Sequence, residues 1–135
     1  RRALSDAGME PEDIDYVNAH GTSTSMNDAA ETRALKEVLG DHAGRIPISS
    51  SKSMIGHSIH AAGAVEAVVC VRSLGAQQVH PTLNLHEPDP VCDLDYVPLE
   101  PRAVPLKAVM SNAFGFGGQN TTLVLTAPDR EAVRA

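Results

Sequence analysis

Twice in its N-terminal part the chain runs from an apolar, strand-like stretch into a polar junction carrying a histidine, and then into a helical pattern. This doubled unit limits the fold more than any other feature. In the first copy "IDYVNA" reads as a strand, "HGTST" as the junction, and residues 27–39 as a helix whose Ala30, Ala34, Leu35, Val38 and Leu39 share one face before Gly40 ends it. Ser25 and Asp28 read as a capping-box-like pair at its start. In the second copy "IPISSSKS" reads as a strand, and "GHSIHAAGAVEAVVCVRSLG" as a helix beginning beside His57 and closed by Gly75. Strands alternating with helices predict an α/β fold with helices packed on a sheet. Such folds gather their strand-to-helix junctions at one end of the sheet, so His20 and His57 are expected to converge there.

The remaining segments fit around that unit. "RRALSDAG" reads as the last turns of a helix with Gly8 as a left-handed cap. It has no start signal, so the chain is expected to be the downstream part of something longer, or its upstream half to be a separate piece. The second helix is apolar nearly all round and rich in small residues, which predicts burial between other elements. Residues 79–105 hold six of the nine prolines and read as a long irregular connection. "KAVMSNAF" and "TTLVLTA" flank the turn "GFGGQN" as an antiparallel pair. One domain is expected over residues 1–128, with a charged tail over 129–135. The 42% hydrophobic content suffices for a core, which must be aliphatic because aromatics amount to 3%.

Charge and cysteine usage exclude several function classes. A net charge of -6 without a basic stripe argues against nucleic acid. The longest apolar run, residues 61–74, is interrupted by Glu66 and Arg72 and reads as too short to span a membrane. No signal peptide pattern opens the chain. Cys70 lies in a helical pattern and Cys92 beside prolines, a spacing that suits neither a metal site nor a disulfide framework. A reducing cytoplasm is the expected setting, and no metal is expected.

Three features can carry chemistry, each with a plainer reading. His20 ends a strand beside hydroxyls that can bind a polar substrate arm, although a strand-end histidine also serves as a structural hydrogen bonder. His57 is expected at a helix start, where the positive end of the dipole favours neutral imidazole, as a catalyst or a cap. Lys52 and Glu66 are each costly to bury alone and can partner one another; the plainer reading leaves Glu66 in solvent. The glycine run lacks the lysine and the strand-to-helix setting of a phosphate loop. Close backbone approach to a substrate explains it better.

"VNAHGTST", "SSSKSMIGHSIHAAGAVEA", "PTLNLHEPD" and "SNAFGFGGQN", in that order, resemble the C-terminal half of the β-ketoacyl-acyl-carrier-protein synthases, the type II condensing enzymes of fatty acid synthesis and the related polyketide ketosynthases. The resemblance implies a thiolase-like fold of two similar α/β halves, of which this chain holds most of the second, in a mixed sheet with helices packed on it. It implies a cysteine nucleophile on a missing N-terminal half, acyl carrier protein as partner, a homodimer of the complete enzyme, and no cofactor beyond the phosphopantetheine that the carrier brings. His20, His57 and Lys52 match catalytic positions, Glu66 and Asp28 supporting ones. Thr22 and Thr24 match hydroxyls that hold the phosphopantetheine arm, and Phe116 with Gly117 the gate of the acyl pocket. Ser25 stands where proline often follows "HGTST", and His60 where the family has a small glycine. Without the nucleophile half the chain alone is expected to be inactive, and carrier docking is expected mainly on that half. A non-catalytic partner, such as a chain-length factor or scaffold subunit, is the alternative. A related enzyme of non-decarboxylative chemistry is a further one. Both histidines and the lysine argue against the first, and the "HGTST" and "GH" pair against the second.

Overall fold

The computed structural model describes residues 1–128, so the expected tail over 129–135 lies outside the described residues. The elements run α1 (Arg2–Ala7), β1 (Tyr16–Asn18), α2 (Asn27–Leu39), β2 (Ile48–Ser49), α3 (Lys52–Ile55), α4 (Ala62–Ala76), β3 (Gln78–Val79), β4 (Arg102–Ala103), β5 (Ala108–Gly115) and β6 (Gln119–Thr126). Gly8 closes α1 in the left-handed conformation. The main sheet has the order β2-β1-β5-β6. Strand β1 is parallel to both neighbours, pairing Val17 with Ile48 and with Met110, whereas β6 returns antiparallel to β5. The sheet is therefore mixed, with helices on both faces.

Alternation along β1 and β5 divides the core. Val17, Ala19, Ala108 and Met110 pack with Leu35 and Leu39 of α2 and with Leu4 of α1. Tyr16 and Val109 point to the opposite face, where they meet Cys70 and Leu74 of α4. The short β1 is buried along its whole length. That is the burial expected of a parallel strand covered on both sides.

Four boundaries differ from the sequence reading. The strand expected over 46–53 pairs only at Ile48–Ser49, because the hydroxyl run turns: the Ser53 hydroxyl donates to the Ser50 carbonyl and α3 begins at Lys52. The second helix starts at Ala62 after a 3-10 turn at Ile59–Ala61, and it ends at Ala76 with Gln77, not Gly75, in the left-handed conformation. The irregular connection contains a small ladder, β3 against β4. The expected Ser25 and Asp28 box is absent, since the Thr24 hydroxyl takes the Asn27 N–H at 3.3 Å.

Helix α4 is also less enclosed than expected. Ala62, Glu66, Cys70, Ser73 and Leu74 form its inner stripe, while Val65, Val68 and Val71 face outward. Ile59–Ala76 is long and apolar enough to cross a membrane by length and composition, longer than the run marked in the sequence. Its centre nevertheless buries Glu66 against Lys52, the arrangement of a helix packed on a sheet.

Candidate functional site

The C-terminal ends of β1 and β2 deliver the two junctions to the same edge of the molecule. Two residues past β1, His20 is 7% exposed. Its backbone is fixed by Glu31 of α2, whose two carboxylate oxygens accept the N–H groups of His20 and Gly21, both at 3.0 Å. Glu31 also accepts from the Asn112 side-chain amide at 3.1 Å, which ties the junction to β5. Gly21 has φ +42°, and a Cβ there would lie 2.5 Å from Ser50 Cβ, so the turn after His20 needs glycine.

His57 lies in the loop between α3 and the 3-10 turn, and it is exposed. The expected helix dipole does not act on it, because α4 begins five residues later at Ala62. The loop is shaped by Gly56 at φ +72° and by Ile59 at φ +51°, an uncommon conformation for a β-branched residue. The two histidine rings still meet edge to face, with centroids 5.6 Å apart.

Hydrogen bonds fix the same tautomer for both rings. The Phe114 N–H donates to His20 Nδ1 at 3.3 Å, and the Ile59 N–H donates to His57 Nδ1 at 3.1 Å. Each neutral ring therefore carries its proton on Nε2, which is left as a donor. Burial lowers the His20 pKa from its ordinary 6.5 to about 4, helped by the positive charge of Lys52 and by His57. His20 is thus neutral at physiological pH.

Lys52 opens α3 directly behind this pair. Its Nζ contacts Glu66 Oε1, and both side chains are buried, so the two expected partners are together. Burial raises the Glu66 carboxyl against the pull of Lys52. The other Glu66 oxygen has no hydrogen-bond partner among the described residues.

The histidines line an open cleft of about 1240 Å³ together with Thr22, Thr24, Phe114 and Phe116. Thr22 and Thr24, whose hydroxyls are 3.0 Å apart, also line a neighbouring cavity of about 570 Å³. Phe116 is 97% exposed on the hairpin tip, where Gly117 and Gly118 have φ +82° and Gly115 is still paired in β5. Phe114, near the end of β5, is half-buried with its ring 5.2 Å from that of His20. Asp28 is not brought to the histidines by any hydrogen bond; its carboxylate accepts from Asn27 and lines the smaller cavity. His60 borders the cleft and is exposed.

Glu31 and Asn112 escape a reading of the sequence alone. A glutamate within a helix of mixed charge looks solvated, and only its place one turn before Leu35 and two before Leu39 marks it as inward-facing. Burial pushes the Cys70 thiol up to about 11, which removes it as a nucleophile. Among the described residues no group of His, Cys, Asp and Glu is arranged to hold a metal ion.

Residues 1–86 match the family described as "Beta-ketoacyl synthase, C-terminal domain". The chain is similar to "3-oxoacyl-[acyl-carrier-protein] synthase 2" of Synechocystis sp., with 54% identity over 90% of this chain and 29% of that protein. It is similar to "Putative polyketide beta-ketoacyl synthase 1" of Streptomyces halstedii, with 54% identity over 95% of this chain and 30% of the other. Among solved structures it resembles a ketosynthase bound to a hexaketide in complex with its type II polyketide acyl-carrier protein, at TM-score 0.92 and 44% identity, covering 95% of this chain and 31% of that one. The chain spans about three tenths of the length of the curated relatives it matches.

Proposed function

The chain belongs to the β-ketoacyl synthase family as its C-terminal domain, with the thiolase-like α/β fold, and from that premise we propose that it supplies the decarboxylating half of a condensing active site. The observation that carries this reading is the shared tautomer of His20 and His57. Two imidazoles that meet edge to face, each with Nδ1 accepting a backbone N–H, keep Nε2 as the donor.

Donors so placed stabilise negative charge on one oxygen. In the proposed reaction they receive the thioester carbonyl of a malonyl group carried by an acyl carrier protein. The bond between the carboxylate carbon and the α-carbon breaks, CO₂ leaves, and the electron pair is held as an enolate. That carbon then attacks the acyl thioester on a cysteine of the N-terminal half, and the cysteine thiolate departs as the new C–C bond forms. Thr22 and Thr24 hold the phosphopantetheine arm of the carrier, so the domain needs no cofactor of its own. Phe116, on a glycine hinge, gates the acyl pocket. Lys52, held in place by Glu66, favours the neutral form of His20. The outward Val65, Val68 and Val71 of α4 support a partner surface there, which the nucleophile-bearing half would cover.

The test uses an assembly containing both halves. His20→Ala and His57→Ala should each abolish release of labelled CO₂ from malonyl carrier protein while acyl transfer to the cysteine persists. Unchanged release in either variant would remove that histidine from the role, and unchanged release in both would favour a non-catalytic partner.

A further inference from the structure

Beneath the His20 junction lies a polar cluster that the proposed reaction does not use. The Tyr16 hydroxyl, fully buried, is 2.8 Å from Ser49 Oγ and 2.9 Å from His80 Nε2. His80 follows β3 and reaches back across 62 residues to Asn18, whose side-chain amide is 3.3 Å from the same Nε2. His80 Nδ1 is 3.0 Å from the Pro81 carbonyl. The residues after it hold the second junction: Thr82 Oγ1 accepts the Ser50 N–H at 3.3 Å, and the Leu83 N–H donates to Ser53 Oγ at 2.9 Å. One short strap therefore touches the end of β1, the end of β2 and the turn that carries Lys52.

The protons in this cluster can be placed. A carbonyl only accepts, so Nδ1 carries the hydrogen and donates to Pro81. Nε2 is then an acceptor. Burial holds the Tyr16 hydroxyl well above its usual range, so it is protonated and donates to Nε2. An Asn18 amide oxygen facing an accepting Nε2 would be repelled, while the buried Asn18 nitrogen has no partner among the described residues. Turning the amide over removes the repulsion, because Nδ2 then donates to Nε2 and shares its lone pair with the Tyr16 hydroxyl, while the oxygen takes the unpartnered position. A doubly protonated ring would also satisfy the oxygen, but burial lowers the His80 pKa and opposes that charge.

We infer that His80 is a positioning residue for His20: as the Nδ1–H tautomer it accepts from Tyr16 and Asn18 and clamps the end of β1 from which His20 projects. Ser49 completes the clamp, since its carbonyl accepts the Ala19 N–H at 2.9 Å while its hydroxyl touches both Tyr16 and His80. The catalytic meaning rests on the reading of His20 given above, but the positioning is read without turnover.

The experiment is NMR on the two-half assembly with ¹⁵N-labelled histidine. In the unaltered protein at pH 7, His80 should show a protonated Nδ1 and a bare Nε2; an Nε2–H tautomer or a cation would overturn the assignment. His80→Phe removes the acceptor, leaves the Tyr16 hydroxyl without it and should loosen the strand end, raising the His20 titration midpoint by about one pH unit toward its ordinary value. His80→Gln, which returns an acceptor near the Nε2 position, should restore the low midpoint. A folded His80→Phe protein with an unmoved His20 midpoint would contradict the inference. If that variant does not fold, the His80 tautomer and the His20 midpoint in His80→Gln decide it, an elevated midpoint counting against. Loss of CO₂ release with the His20 midpoint unmoved would likewise overturn the positioning role and leave the reading of the site intact.

Discussion

The two β-α junctions begin alike in sequence and end differently in structure. At the first, the chain itself encloses the histidine: Glu31 grips two backbone N–H groups, Gly21 permits close approach to Ser50, and Phe114 covers the ring. At the second, the buried element is Lys52, while His57 stands exposed with its ring Nδ1 accepting the Ile59 N–H. The difference separates the histidine that this domain encloses from the one that it leaves exposed. His20 is set by groups of this domain, whereas the ring of His57 faces solvent in it.

Breaking each anchor should show the contrast most strongly. Glu31→Ala strands buried donors on His20 and Asn112 and a half-buried one on Gly21, and should cost about 3 kcal/mol or more. Glu66→Gln leaves the buried Lys52 without its counter-charge and should cost on the order of 3 kcal/mol. Denaturant midpoints of the two-half assembly measure both. A negligible shift in either would mean that water reaches that carboxylate.

The two phenylalanines sharpen the comparison with smaller effects. Phe114→Ala, removing a half-buried ring from His20, should cost roughly 1 to 2 kcal/mol, below the range for fully buried aromatics. Phe116→Ala, at an exposed hairpin tip, should cost under about 0.5 kcal/mol and instead speed acylation or broaden chain-length tolerance. Melting curves beside acylation kinetics with short and long acyl carriers decide it, and exchanged phenotypes would place the gate on the wrong ring.

Much of this was legible in residue order. Helix α2 begins and ends where its apolar period and Gly40 predict, and the β5 and β6 hairpin sits where the glycine run predicts. The pairing of Lys52 with Glu66 followed from the cost of burying either alone. What stayed hidden has local or long-range causes. "GHSIHAA" continues the small, apolar pattern of α4, so nothing in its composition announces that Gly56 and Ile59 adopt positive φ and delay the helix. Phe114 continues an apolar strand, and only the fold shows that His20 occupies the space beside it. Tyr16 and His80 meet across 64 residues, beyond the reach of any periodicity.

The central claim is that His20 is held neutral as an Nε2–H donor, and its own titration tests that most directly. A folded-state pKa of about 4 lies below the ordinary 6.5, so between these values the unfolded chain binds the proton and the folded one does not. The stability His20 contributes is therefore fully present above pH 6.5 and is lost as the pH falls toward 4. An NMR titration of the two-half assembly should find His20 still neutral, protonated on Nε2 alone, at pH 5.5, and the fall in stability between pH 6.5 and 4 should shrink in His20→Gln. A His20 midpoint near 6.5, or a proton on Nδ1, would contradict the account.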